Sequence, residues 1–288
     1  MGLRSVLTFD LHSSDRPDDL SACADAMASR NMRVSFFVPT NMLEMRRFRA
    51  PLLRLQSEGH ELGTHGHLHD REEMIALRGG SQADLRFLRR SMLTFENFFG
   101  VPARNFRSPC WCPLGQPALD ELCMLGYHVD SSSNPQRVPL LSSFPWDFRN
   151  VLAKRVPHFV RPGLLEIPTS SLLIPLGWPS FCVLRRRASL LFTELLVAES
   201  AVNERIVLVA QFHPSDFADE GPGFRIPRRG WRDLIPRRVG GIQARRWFRS
   251  TDRRLVAEVS RLVFDRLVGH GPTSLGAIWE EATSGMPL

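Results

Sequence analysis

The 288-residue chain reads as an α/β protein, with a parallel sheet or barrel and helices outside it. Apolar runs of strand length alternate with helix-like periodic stretches, the rhythm of successive β-α-β units. In addition Asp10, His65, Arg107, Asp130 and His213 each fall at the end of a predicted strand. In parallel α/β folds the carboxyl ends of the strands gather on one face, where a site is built. Five polar residues at five strand ends therefore point to a site rather than to a satisfied core.

The elements follow in order. "SVLTFD" is a short β-rich run ending in Asp10, and "LSACADAMASRN" has helical periodicity before the strand "RVSFFVP". "APLLRLQSEGH" spaces its apolar residues as a helix does, and "HELGTH" is strand-like and ends at His65. "SQADLRFLRRSMLTFENFFG" is a long amphipathic helix, expected to be capped by Ser81 and ended by Gly100. The strand "NFRSP", the helix "PALDELCMLG" and the strand "YHVDSS" come next. "GLLEIPTS", a helix near "SLLFTELLVAESAV", the strand "RIVLVAQFHP" and a helix in "DRRLVAEVSRLVFDRLVGHG" complete the pattern. With no internal repeat and no low-complexity linker, residues 1–288 are expected to form one domain.

Composition agrees with an ordinary globular protein, at 43% hydrophobic and 23% charged residues. No window offers the run of about eighteen apolar residues that a membrane span needs. "MGLRSVLTFDLHSS" reaches acidic and polar residues too soon for a signal peptide, so a cytoplasmic location is expected. Cys23, Cys110, Cys112, Cys123 and Cys182 are then expected as free thiols. The C-x-C of "PCWCP" is too closely spaced for a zinc knuckle, and no second pair completes it.

Net charge is +7, with Lys154 the one lysine among 37 basic residues. The excess is uneven, for residues 224–255 pack eleven arginines against two aspartates. Arginine pairs bidentately with phosphate and carboxylate, so the arginine-rich segment over 221–255 suits an anionic lipid head, a nucleotide or a solvated face. No nucleic-acid fold motif accompanies it, and nucleic acid is not expected as a partner.

The stretch "ELGTHGHLHD" carries His65, His67 and His69 at alternate positions. One helical turn would put His65 and His69 on a single face, a common half of a zinc or other divalent site. His67 would then point elsewhere, as a substrate contact or a solvated residue. Asp10 supplies a carboxylate to join the pair or to act as base. His213, in "AQFHP", is a candidate general acid, because imidazole titrates near neutral pH. Arg107 and Asp130 could orient these groups through charge-assisted hydrogen bonds.

Taken in order, "LTFD", "GTHGHLH", "FRSP", "DSSS" and "FHP" resemble the motifs of the polysaccharide deacetylase family, also called the NodB-homology or carbohydrate esterase 4 group. The resemblance spans roughly residues 5–215 and implies a distorted (β/α) barrel of about seven strands. "PTSLGAIWEEA" looks like the family's last strand and helix. The resemblance further implies that Asp10 is the general base and that His65 and His69 are metal ligands. Arg107 would orient the base, Asp130 would tune the catalytic histidine, and His213 would protonate the leaving amine. Pro109 and Trp111 would shape the groove wall, with Ser131 also at the substrate.

The chain also departs from the family. Most members read T-F-D-D-G, the second aspartate being a metal ligand, and here that position is Leu11. The next residue, His12, could complete a three-histidine site with His65 and His69, in a T-F-D-x-H variant that suits zinc, nickel or cobalt better than magnesium. Asp15 is a more distant candidate. Gly66 replaces the usual serine or threonine, and "THGHLH" and "FHPSD" (with Ser215 and Asp216) look more like the branch of allantoinase-like, lipid-linked sugar deformylase and exopolysaccharide-associated members.

These residues imply a hydrolase with one divalent metal, removing an acyl group, acetyl first, from an amino sugar. A small-molecule, nucleotide-linked or lipid-linked sugar is the expected substrate, with the arginine-rich segment touching its phosphate or an anionic membrane. The groove-lining stretch is expected in "GLLEIPTSSLLIPLGWPSF". Two alternatives stay open: a metal-independent allantoinase-like amide hydrolase, and an inactive barrel that binds carbohydrate.

Overall fold

The computed structural model describes residues 3–135, 150–184, 186–218 and 253–285. Most of the arginine-rich segment, 221–252, therefore lies outside the described residues. Among the described residues, eight strands form one sheet: β1 (Ser5–Asp10), β2 (Ser35–Val38), β3 (Glu61–Thr64), β4 (Asn105–Phe106), β5 (Val129–Asp130), β6 (His158–Arg161), β7 (Leu164–Glu166) and β8 (Leu208–Phe212). Their order is β6-β7-β5-β4-β3-β2-β1-β8. Every pairing is parallel except β6 with β7. The seven-stranded expectation thus corresponds to the parallel set, and the antiparallel edge strand β6 adds to it. Residues 169–177 cross from the β5 end toward β8. Thr169 N–H donates to Ser133 O, Ser170 N–H to Val209 O, and Gly177 pairs with Gln211.

The described helices are α1 (Pro17–Ala28), α2 (Arg49–Ser57), α3 (Arg71–Gly79), α4 (Arg86–Phe99), α5 (Gln116–Met124), α6 (Trp178–Val183), α7 (Arg186–Val202), α8 (Arg253–Val268) and α9 (Leu275–Thr283). None of them is long and apolar enough to cross a membrane. Two local expectations are corrected. Ser81 does not cap α4: its backbone N–H and hydroxyl both donate to Asp84, closing a turn, and the helix begins at Arg86. Such short side chains compete with the helix for backbone groups. "PTSLGAIWEEA" contains no strand; Ser274 accepts from Ala277 N–H and caps α9 directly. Helix α3 and strand β6 were not anticipated.

Period-two alternation along each strand divides the core in two. Leu7, Phe9, Leu11, Phe36, Val38, Phe106, Leu208, Ala210 and Phe212 face outward and pack with helix residues such as Leu20, Leu88 and Phe264. Phe9 and Phe36 stack with ring centroids 5.0 Å apart. Val6, Phe37, Val129, Leu165, Ile167, Val207 and Val209 face the barrel interior, and Leu275 and Ile278 of α9 close that interior at one end. The opposite end, at the carboxyl termini of the strands, carries the polar cluster.

Candidate active site

Asp10 ends β1 on the inward face, between the outward residues Phe9 and Leu11. The ladder continues for one residue, with Leu11 N–H donating to Phe37 O at 3.0 Å. Alternation then returns His12 to the same side as Asp10. Leu11 is fully buried in the outer core, so the position that is usually acidic faces away from the site.

Arg107, just past β4, is fully buried among the inward residues. Its Nη1 donates to Asp10 Oδ1 and to Thr8 Oγ1, each at 2.8 Å. Nε donates to Ser131 O at 3.0 Å and Nη2 to Ser131 Oγ at 2.9 Å. The guanidinium also lies 4.2 Å from the centroid of the Phe37 ring. Burial pushes the Asp10 carboxyl up, but Arg107, His65 and His213 together outweigh it and hold it below the ordinary carboxylate value. Asp10 is therefore an ionised, desolvated carboxylate.

His65 follows β3, and its Nδ1–H donates to Arg107 O at 2.8 Å. A carbonyl can only accept, so the neutral ring leaves Nε2 as a bare lone pair. Burial, above all, drops its pKa to about 3. His12 is likewise held well below the ordinary imidazole value, by burial first and then by His213, His69 and His65. Metal ligation requires such neutral rings. One ligand atom from each of His12, His65 and His69 lies within 4.8 Å of the other two. A tetrahedral ion with bonds of 2.0–2.1 Å would want them about 3.4 Å apart, so the set fits a divalent ion after a modest inward turn of the rings.

His65 and His69 do not share a helical turn. The chain from Gly66 to Asp70 is a loop in which Gly66 (φ 73°) and His69 (φ 59°) are left-handed. That reversal brings the two rings to a centroid separation of 4.7 Å. Glu73, in the first turn of α3, holds the loop by accepting from the backbone N–H groups of His67, Leu68 and His69 at 2.8–3.1 Å. Asp70 caps the same helix by accepting from Glu73 N–H. A side chain at position 66 would meet Glu73 Oε2 at 2.6 Å and Pro109 Cγ at 3.2 Å, so glycine is required there. His67 is neither solvated nor at the substrate: it is 3% exposed and its Nδ1 hydrogen-bonds Thr40 Oγ1 at 2.9 Å.

His213, just past β8, stands on the other side of His12, with ring centroids 4.8 Å apart. Its Nδ1–H donates to Asp10 O at 2.9 Å, and its Nε2 accepts from Gln211 Nε2 at 3.1 Å. Its backbone N–H donates to Asp216, whose carboxyl burial pushes up. Trp178 meets the His213 ring edge-on at 5.7 Å, which places the start of α6 beside the site.

Asp130 does not tune His213. It shares a strand row with Phe106 and Glu166, on the outward face, while His213 faces in. Its Oδ1 accepts from the backbone N–H and hydroxyl of Ser132. Ser131 is not at the substrate either, since it is fully buried and its hydroxyl donates to Ile167 O while accepting from Arg107. Pro109 is buried against Gly66, and Trp111 is only 6% exposed. Asp15 accepts from His12 N–H at 2.7 Å, and burial raises its pKa to about 6, so it braces the His12 backbone. Glu73, Gln211 and Glu166 were missed in the sequence. Only Gln211 carried a signal, being two residues before His213 on a strand of period two.

Residues 4–111 match the family described as polysaccharide deacetylase. Among solved structures, the chain is similar to a Mycobacterium smegmatis protein assigned to the polysaccharide deacetylases. The identity is 18% and the TM-score 0.54, covering 95% of this chain and 93% of that one. It is similar to a CE4 esterase of Streptococcus mutans at 13% identity and a TM-score of 0.52, over 95% and 86% of the two chains. A CE4 family pseudoenzyme of Bacillus anthracis shares 8% identity at a TM-score of 0.50, over 97% of this chain and 66% of its own. Among curated proteins none matches the chain in sequence.

Proposed function

We propose, from the match of residues 4–111 to the polysaccharide deacetylase family and from the likeness of the described residues to that family's fold, that the protein is a metal-dependent hydrolase removing an N-acyl group, acetyl first, from an amino sugar. The observation that carries the reading is the placement of three imidazoles, His12, His65 and His69, beside an Asp10 carboxylate kept ionised by Arg107. A divalent ion held there would supply Lewis acidity toward the amide carbonyl and lower the pKa of a bound water. Zinc, nickel or cobalt suits three imidazoles better than magnesium.

The chain's own residues then divide the proton work. Asp10, fixed by Arg107 and Thr8, takes the proton of the attacking water. His213, with Nδ1–H committed to Asp10 O, has Nε2 as the nitrogen that would carry a proton to the leaving amine, once Gln211, which donates to it here, gives way. Trp178 flanks that ring and limits access of bulk water. Leu68, 51% exposed in the ligand loop, and Leu173, 64% exposed, give the chain apolar surface suited to a lipid-linked acceptor; a nucleotide-linked sugar is the other substrate of this class.

The test is elemental analysis of purified protein, wild type against His12→Ala and His65→Ala, followed by assay on N-acetylated amino sugars. About one metal per chain in wild type, lost in both variants together with acetate release, is the expected result. Absence of metal after reconstitution, or activity indifferent to chelation, overturns the reading. The first outcome would favour an inactive barrel, for which Leu11 at the usual ligand position speaks. The second would favour a metal-independent amide hydrolase.

A further inference from the structure

A pair of acidic residues lies immediately behind the site, and the chemistry above makes no use of it. Asp130 on β5 and Glu166 on β7 are register partners in parallel strands. Both are buried, at 1% and 5% exposure, and their carboxyl groups hydrogen-bond each other. Two carboxylates cannot make that bond without a proton between them. Glu166 is pushed well above the ordinary carboxyl value by burial and then by the charge of Asp130. Asp130 is raised less, because the bonds from Glu166 and Ser132 and the nearby Arg107 offset its burial. Asp130 accepts two hydrogen bonds from Ser132 and Glu166 only one from Ser133, so Asp130 is the better-supported carboxylate and Glu166 the partner that carries the proton.

The pair also anchors a turn. Asp130 accepts from Ser132, and Glu166 Oε1 accepts from Ser133 N–H at 3.1 Å. The Ser132 hydroxyl in turn accepts from Ser108 N–H at 2.8 Å, next to Arg107. Ser131, inside this anchored turn, supplies two of the bonds that hold Arg107. We propose that Glu166 is a positioning residue of the site: it donates its proton to Asp130, and the singly charged pair fixes the Ser131–Ser133 turn that clamps Arg107 onto Asp10. Ionising Glu166 would set two like charges against each other and pull Ser132 and Ser133 apart, loosening the clamp. The charged and titratable groups facing Glu166 are Asp130 on β5, Arg107 after β4 and His158, its register partner on β6. Asp10 lies beyond Arg107.

The kinetic arm rests on the proposed hydrolysis, and a spectroscopic arm does not. Glutamine at 166 can still donate to Asp130 and accept from Ser133, but it cannot ionise. Glu166→Gln should keep kcat at neutral pH within about threefold of wild type and lose the alkaline fall in kcat expected of wild type. Glu166→Ala should lower kcat about tenfold or more with little change in KM. In pH-difference infrared spectra, wild type should show a protonated-carboxyl carbonyl stretch at neutral pH that Glu166→Gln lacks. A wild type without that band overturns the proposal whatever the enzyme's substrate. So does a Glu166→Gln alkaline limb that superimposes on wild type, or a Glu166→Gln enzyme as impaired as Glu166→Ala. If the protein hydrolyses none of the N-acyl sugars, the infrared comparison alone decides, and the failure belongs to the functional reading.

Discussion

The replacement of an acidic residue by Leu11 is a question of strand parity. On a strand with side chains alternating between faces, Asp10 and His12 share the inner side and Leu11 must join Phe9 beneath the helices. In this chain His12, two residues after Asp10, is therefore on the inner side, where Leu11 is not. The same parity governs Gln211 and His213 on β8. Gln211 donates to His213 Nε2 and accepts from Trp178 N–H through Oε1, at 3.1 and 3.3 Å. Under the proposed function, Gln211→Leu should lower kcat about tenfold and leave KM nearly unchanged, because the His213 ring loses a tether that fixes its orientation. Steady-state kinetics on any accepted N-acyl sugar would check this, and an unchanged kcat would discard the role. Individual residues were legible where they ended a strand, as Asp10, His65, Arg107 and His213 did. Asp130 ended one too, but on the other face. A strand end says which edge a residue occupies, and for a two-residue strand it says little about which side.

At the scale of elements, the ligand loop depends on a helix that did not stand out in the sequence. Only nine residues form α3, and its first turn supplies Glu73, whose carboxylate takes up three consecutive backbone N–H groups. Burial raises the Glu73 carboxyl, and those three bonds pull the other way. Glu73→Ala would leave the three donors without an acceptor. At about 1–3 kcal/mol for each buried unsatisfied donor, tempered by water entry, a loss of about 2–4 kcal/mol is expected, with metal content falling in parallel. Glu73→Gln, which keeps one acceptor oxygen, should lose less. Denaturant midpoints and metal analysis on the two variants test the point, and equal effects would refute it. The histidine spacing suggested a helix because four residues make one helical turn. Here Gly66 and His69 reverse the chain instead, and no side-chain pattern announces a left-handed non-glycine residue. Ser81 misled for a related reason, since a serine that could cap a helix can equally close a turn with Asp84.

For the molecule as a whole, the inner core is polar at one end and apolar at the other, and the buried Asp10–Arg107 pair marks the boundary. Removing one partner of such a pair strands the other, at a cost of about 3–5 kcal/mol. Asp10 is held below its ordinary value in the folded protein, so its contribution is complete above about pH 4 and is lost as pH falls through the lowered value. Metal-stripped Asp10→Asn should therefore be less stable than wild type at pH 7 by about 3–5 kcal/mol, and the gap should be smaller at pH 3, below the unfolded carboxyl value. Chemical denaturation at the two pH values measures it; a gap independent of pH would mean that the pair carries no such stability. The rhythm of strands and helices was readable because each element buries one periodic face. The antiparallel strand β6 and the 169–177 crossing were not, since they pair by backbone bonds that leave little pattern in the side chains.

The seam between β1 and β8 has a temporal consequence. His213 reaches the Asp10 carbonyl across 203 residues of chain, while His12, His65 and His69 fall within the first seventy. On a ribosome adding roughly 5–20 residues per second, the imidazole triad is synthesised about 7–30 s before the acid that would work with it. A nascent chain could thus capture an ion while still unable to turn over substrate. Under the proposed function, closure of the last ladder then becomes the event that completes the site, and because pairings so distant in sequence form slowly, it comes late in folding as well as late in synthesis.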